Sequence, residues 1–173
     1  MASGDTLIAL FPQNVSPPAT IYATHDTMAG TSTPAESIPL LDFDDTTVEY
    51  ADFYCFMPRH YAGTTGITLT IVWSAAEAAA DVVAWEAALR RVADDAEDLD
   101  TTAHTYVYNS SGDVTAPSVI GEVAYDPITF TDGADMDSVV AGEYFILRVK
   151  RVAPGGTDVT GDASIHMIEL QET

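Results

Sequence analysis

Cysteine is nearly missing from this chain: Cys55 is the only one in 173 residues, so no internal disulfide can form. Basic residues are almost as scarce. Five arginines and Lys150 face 27 carboxylates, a formal net charge of −21 and about one excess negative charge per eight residues. That sign repels DNA, RNA and anionic membranes, so neither nucleic acid nor a membrane is expected as a partner. No apolar run approaches the roughly 18 residues that span a bilayer, and a soluble protein is expected. The opening Met1-Ala-Ser-Gly-Asp5 has neither a basic start nor an apolar stretch of secretory length. The expectation is a chain kept in the cytoplasm, or released by a route other than secretion.

Motifs that carry chemistry are missing too. His25, His60, His104 and His166 show no i, i+4 pair and no cysteine at metal-ligand spacing, which argues against zinc. There is no Gly-x-Ser-x-Gly elbow, no Gly-rich phosphate loop and no dinucleotide fingerprint, so no catalytic residue and no cofactor is expected. Calcium is the ion to weigh, because Asp42–Asp45 and Asp132–Asp137 each gather three carboxylates. Neither follows a helix–loop–helix calcium pattern, and clustered aspartates in turns usually accept bonds from nearby backbone N–H groups.

What is present is material for one core. Apolar residues make up 47% of the chain, with 8 Tyr, 6 Phe and 2 Trp, enough for a single domain. Aspartate outnumbers glutamate 18 to 9, a bias that suits salty surroundings or solubility at high local concentration. Residues 1–36 hold Pro12, Pro17, Pro18 and Pro34 among Thr, Ser and Ala, and read as an extended N-terminal arm. Leu7, Ile8, Leu10, Phe11, Ile21 and Tyr22 would anchor that arm on its own domain or on a partner.

From residue 37 to 173, short β-branched and aromatic runs alternate with Gly, Asp, Asn and Pro, the pattern of an all-β sandwich or barrel. Eight strands are expected: Ile38–Phe43, Val48–Met57, Ile67–Ser74, Asp81–Val92, Ala103–Tyr108, Val119–Phe130, Glu143–Ala153 and Ala163–Leu170. In the clearest, Ile67, Leu69, Ile71 and Trp73 share one face while Thr68, Thr70 and Ser74 share the other. In another, Phe145, Leu147 and Val149 face in while Arg148 and Lys150 face out. One stretch conflicts with this pattern. Ser74-Ala-Ala-Glu77 is a capping box, and Val82, Trp85, Leu89 and Val92 recur at helical spacing, so propensity favours a helix from about Ala75 to Leu99 over a strand. Five of the six cations fall in two of these segments: Arg90 and Arg91, then Arg148, Lys150 and Arg151. They form either a solvated face or a basic stripe that pairs with acids on a second copy.

Several phrases together resemble a family of tailed-phage and prophage virion proteins built on a jelly-roll β-sandwich. They are Leu41-Asp-Phe43, Met57-Pro-Arg-His-Tyr-Ala-Gly63, Ile67–Trp73, Asp81–Glu86, Phe130–Ser138, Ala141–Arg151, Gly161-Asp-Ala163 and Glu169-Leu170, within residues 40 to 170. The resemblance implies an eight-stranded antiparallel jelly roll in which Asp81–Val92 is a strand beside Glu143–Ala153, bringing Arg90, Arg148 and Lys150 into one patch. It also implies a non-enzymatic capsid decoration or cement protein on a phage head, assembled in the host cytoplasm. Its expected partners are itself, as a homotrimer, and the major capsid protein or another virion protein, met through the arm residues and that patch. The alternatives are a tail fibre or knob component, or a carbohydrate-binding β-sandwich with Trp73, Trp85, Tyr106 and Tyr108 as sugar platforms. Two or more exposed aromatics in a row on one sheet face would favour the carbohydrate-binding reading, and their burial would favour a structural subunit.

Overall fold

Alternation shapes the centre of each sheet, although Val72, Ser74 and Ile146 are buried on the opposite faces of their strands. In the computed structural model, which describes residues 4–77, 80–101 and 103–173, the run Ile67–Ala75 buries Ile67, Leu69, Ile71 and Trp73 completely while Thr68 and Thr70 stay half-exposed. The run Tyr144–Val152 likewise buries Phe145, Leu147 and Val149. In chain order the strands are β1 (Thr6–Leu10), β2 (Val15–Ser16), β3 (Thr24–Ala29), β4 (Ser37–Phe43), β5 (Tyr50–Phe56), β6 (Ile67–Ala75), β7 (Val82–Val92), β8 (Asn109–Thr115), β9 (Ala124–Phe130), β10 (Tyr144–Val152) and β11 (Ala163–Glu172). Only two short 3-10 turns, Pro12–Asn14 and Ala134–Met136, interrupt the β architecture among the described residues.

Two antiparallel sheets result. One runs β3-β4-β11-β6-β9, with β1 also on β11, and the other runs β2-β5-β10-β7-β8. Their inner faces meet at aromatic contacts: the Trp85 ring stands edge-on to Phe43 at 5.3 Å and to Trp73 at 5.8 Å. Gly66 lets β6 start where it does. Its φ is +96°, and a Cβ there would lie 2.0 Å from the Phe130 carbonyl of β9. A jelly-roll-like β-sandwich is therefore the fold, with eleven strands where eight were expected.

The differences have physical causes. Asp81–Val92 could be read as helical, but its residues form β7, paired with β10 along its length and with β8 on the other side. Tertiary pairing overrides the helical preference of its alanines, because Ala84, Ala87 and Ala88 are small enough to be buried on both faces of a central strand. Of the alanine run before it, Ala78 and Ala79 lie outside the described residues. The expected strand Ala103–Tyr108 is not one. It is an irregular strap, and the strand begins at Asn109, whose polar sequence Asn109–Thr115 suits an edge.

The N-terminal arm is also corrected. β1 pairs with the second half of β11, from Thr6↔Gln171 to Leu10↔Ile168, on the edge that β4 occupies over the first half. Leu10 is buried in the core, and Leu7 and Ile8 pack against it. The chain then crosses to the other sheet, where Val15 pairs with Phe53, and returns as β3, which forms a six-pair hairpin with β4. A boundary at residue 36 would cut that hairpin. Five apolar positions in the first sixteen residues sufficed to add strands to existing sheet edges, and the prolines sit between these strands rather than in them.

At one end of the sandwich, Asp26, Asp42, Asp44, Glu49 and Asp162 surround a cleft of about 400 Å³. Burial raises the pKa of Asp42, Glu49 and Asp162, and repulsion among these carboxylates raises it further. Ser164 Oγ donates to Asp42, which opposes the shift.

Three measurements test this architecture. Leu69→Ala should cost about 2 to 5 kcal/mol in urea denaturation and Thr70→Ala less than half as much; equal losses would contradict one-sided burial of β6. Deleting residues 1–16 should lower the melting temperature by about 5 °C or more, because it strips β11 of half an edge and the core of Leu10; an unchanged value would restore the passive arm. The third concerns pH. Acids whose folded pKa is raised bind protons more tightly when folded, so their ionisation penalises folding above the raised value and the penalty lifts as pH falls towards it. Asp44 and Glu143, held low by hydrogen bonds from Thr46 and Arg91 respectively, lose their contribution only at lower pH. The melting temperature should therefore rise as pH falls from neutral towards the carboxylate range, and fall again at lower pH once Asp44 and Glu143 take up protons. Asp162→Asn should flatten the rise, and a rise unchanged in that variant would place its origin elsewhere.

Candidate functional site

β10 is paired with β5 from Tyr144 to Lys150 on one side and with β7 from Tyr144 to Val152 on the other, and this register writes the outer face in rows. Lys150 lies between Tyr50 and Glu86, Arg148 between Asp52 and Ala88, Ile146 between Tyr54 and Arg90, and Tyr144 between Phe56 and Val92. The expected convergence of Arg90, Arg148 and Lys150 on neighbouring strands is present. Arg151, by contrast, has the parity of Val149 and points inward. It is 2% exposed, and its guanidinium donates to the carbonyls of Phe43, Val159 and Gly161 and to the Asp158 carboxylate.

Each cation of the patch is matched within the chain. Arg148 Nε and Nη2 donate to the two Asp52 oxygens at 2.7 Å each, Lys150 reaches Glu86 at 2.8 Å, and Arg90 reaches Glu97 at 2.8 Å. The Asp52 carboxylate holds the Arg148 guanidinium well above its usual pKa. The strap ahead of β8 lies over this face, with the Tyr106 ring 4.2 Å from the Arg148 guanidinium and the Tyr108 ring 4.0 Å from the Lys150 ammonium. Alternation in the strap aims His104, Tyr106 and Tyr108 to one side, and consecutive rings touch at 5.0 and 6.0 Å. Burial pushes the Tyr108 hydroxyl up to about 12, so it stays neutral. The basic stripe is thus a covered, internally neutralised part of the sheet, not an open docking patch for acids of a second copy.

Beyond the strap the same face is open and aromatic. Tyr54 and Phe56 alternate along β5 and are 50% and 54% exposed, and the Tyr54 ring stacks on Tyr144 with centroids 6.3 Å apart and planes 21° apart. Phe56, Val92 and Tyr144 give the apolar lining of a cleft of about 450 Å³, and Asp94, Asp95 and Glu143 give its acidic lining. Glu143 is fixed by a two-pronged bond from Arg91, whose Nε donates at 2.7 Å, and accepts from the Val140 N–H at 3.0 Å. The Arg91 bonds hold its carboxyl below the usual range. Asp94 and Asp95 are exposed in the turn after β7.

Other expected positions fall elsewhere. Phe11, Ile21 and Tyr22 are about half exposed, and Tyr22 bridges to Tyr50 at the edge of the second sheet. Trp73 and Trp85 are fully buried, so neither can serve as a sugar platform, and Tyr106 and Tyr108 are engaged by Arg148 and Lys150. In the two aspartate clusters the carboxylates do turn chemistry. Asp44 Oδ1 accepts from Thr46 and Thr47 N–H groups, Asp45 from Gly161 N–H, and Asp135 from Thr131 N–H and Asn109. Among the described residues no group of three or more His, Cys, Asp or Glu is arranged to hold a metal ion. Sequence reasoning missed Tyr54, Phe56 and Tyr144. The signal was there in Tyr50-Ala-Asp-Phe-Tyr-Cys-Phe56, where period two puts aromatics on both faces of one strand.

No protein-family model matches the chain, and no curated protein is similar in sequence. Similar solved structures do exist. CsCBM6-3 from Clostridium stercorarium, solved in complex with cellobiose, superposes with a TM-score of 0.52 at 7% identity, covering 99% of this chain and 98% of that one. The CBM22-1 xylan-binding domain of Paenibacillus barcinonensis Xyn10C does so with a TM-score of 0.50 at 8% identity, covering 99% and 96%. At these identities it is the fold that is shared. The expectation of a capsid decoration protein is overturned on this ground: the sandwich matches carbohydrate-binding modules over its whole length, and the segment assigned to reach a neighbour belongs to the chain's own sheets.

Proposed function

We propose that the protein is a non-catalytic carbohydrate-binding β-sandwich whose site is the aromatic end of the β5–β10–β7 face. The observation that carries this reading is the group Tyr54, Phe56 and Tyr144, three aromatic side chains on one sheet face beside a cleft with acidic walls. A pyranose presents an apolar face of C–H groups and an edge of hydroxyls. The first packs on a flat ring and the second donates to carboxylates, so this surface has both halves of what a sugar needs. An exposed ring forgoes the roughly 1.5 to 3 kcal/mol that burying a large apolar side chain contributes, and three grouped on one face make a patch of the kind that marks a binding surface. The fold shared with CsCBM6-3 and the CBM22-1 domain agrees with it. Glu143, held ionised by Arg91, does not suit the proton-donor role of a glycosidase pair, which needs a raised carboxyl pKa.

The test is titration calorimetry against cello- and xylo-oligosaccharides, with the same titration on Phe56→Ala and Tyr144→Ala. Binding should weaken about tenfold or more in each variant. Because Phe56 is largely exposed, its loss should shift stability by no more than about 0.5 kcal/mol, so a folded variant that still binds as the wild type would remove the site.

A further inference from the structure

Arg59 breaks the pattern set by the other cations of this chain. Arg90, Arg91, Arg148, Lys150 and Arg151 each hold a carboxylate, whereas among the described residues Arg59 has none within 4 Å, although the chain carries 27. It is exposed in the loop after β5, and that loop is tied to the cleft wall: Gly142 N–H donates to the Met57 carbonyl and Met57 N–H to the Glu143 carbonyl, each at 2.8 Å. Gly142, part of the cleft lining, has a φ of +82°, and a Cβ there would stand 3.4 Å from Arg59 Nη1 and 3.8 Å from its Cγ and Cζ. Glycine lets the stem and head of Arg59 lie along the backbone at the edge of the cleft.

The cleft therefore has two unlike flanks. Phe56, Tyr144 and Val92 form one row across β5, β10 and β7. Arg59 follows β5 while Asp94 and Asp95 follow β7, so the flanks lie two strand spacings apart, about 10 Å. A guanidinium presents its donors in a rigid fork that matches a carboxylate, and an incoming carboxylate breaks no ion pair to reach this one. The acids on the other flank accept from hydroxyls but repel a second anion.

We infer that the cleft takes a largely neutral glycan bearing an isolated uronate, whose carboxylate pairs with Arg59 while its sugar rings cover Phe56 and Tyr144; this rests on the carbohydrate-binding reading above. In water one contact between opposite charges about 4 Å apart is worth about fivefold in affinity. At physiological ionic strength charge effects reach roughly 8 Å, so the remote carboxylates of a chain of net −21 are largely screened while a guanidinium in contact with the ligand is not.

The experiment titrates the full chain, in about 150 mM sodium chloride, with a xylo-oligosaccharide carrying one glucuronosyl substituent and with the same oligosaccharide carrying a glucosyl one. The two ligands differ only in a carboxylate against a primary alcohol. The uronate should bind about threefold or more tighter to the wild type, and the ratio should fall below about twofold in Arg59→Gln. Because Arg59 is exposed and in no ion pair, this variant changes the contact without disturbing the fold. A ratio below about threefold in the wild type, or one that stays above about twofold in Arg59→Gln, overturns the inference. If the neutral sugar nonetheless binds and loses that binding in Phe56→Ala, the site stands and only the uronate is wrong. Absence of binding by both sugars removes the carbohydrate-binding reading and this inference together.

Discussion

The structure depends on the register of β10. This strand is paired on both sides from Tyr144 to Lys150, with β5 and with β7, and its two-residue period sends Phe145, Leu147, Val149 and Arg151 into the core and Tyr144, Ile146, Arg148 and Lys150 out. A slip of one residue would expose three core side chains and bury two cations at once. With β10 fixed, its neighbours have no freedom either. Tyr54 and Phe56 must share a face with Tyr144, and Trp85 must meet Trp73 and Phe43 across the sandwich.

Scarce positive charge is spent almost wholly on this framework. Arg151, buried, gathers carbonyls from β4 and from the turn before β11 around one guanidinium, so the loops Asp158–Gly161 and the end of β4 are tied to the centre of the opposite sheet. Arg91 fixes Glu143 at the entrance to β10, and Arg90 fixes Glu97 in the turn that leads to the strap. Ion pairs that keep some contact with water, as Arg91–Glu143 does, contribute little to stability on average. Here they settle where loops lie, and the open end of the face keeps its shape because Arg91 and Glu143 flank it.

Much of the architecture is legible in the chain. Alternation marks β4, β5, β6, β10 and β11 to within a few residues, because one buried face imposes period two wherever it occurs; of the expected Val119–Phe130 only Ala124–Phe130 is strand, and the apolar residues before it lie in a turn. The edge strands β1, β2, β3 and β8 were not legible. They bury little, so nothing in their sequence demands alternation, and Asn109–Thr115 reads as a loop by composition. Ala103–Tyr108 shows the converse error: its alternation is real, but it aligns three rings over cations on the outside of a sheet instead of forming a ladder.

By itself the sequence determined the class, all-β with one core, and its negative charge, since these follow from composition and from a periodicity that needs no partner. It also determined that Arg148 and Lys150 face out and that Leu69 and Trp73 face in. Only the tertiary structure decided that Asp81–Val92 is a strand, because helix and strand differ there by less than the free energy of pairing with β10 and β8. The same holds for the N-terminal segment, whose apolar residues could meet a partner or a free sheet edge with equal chemistry, and whose outcome rests on β11 offering that edge. The site belongs wholly to this second kind. Phe56, Val92 and Tyr144 are about fifty residues apart or less in turn along the chain, and only antiparallel pairing across three strands sets them side by side.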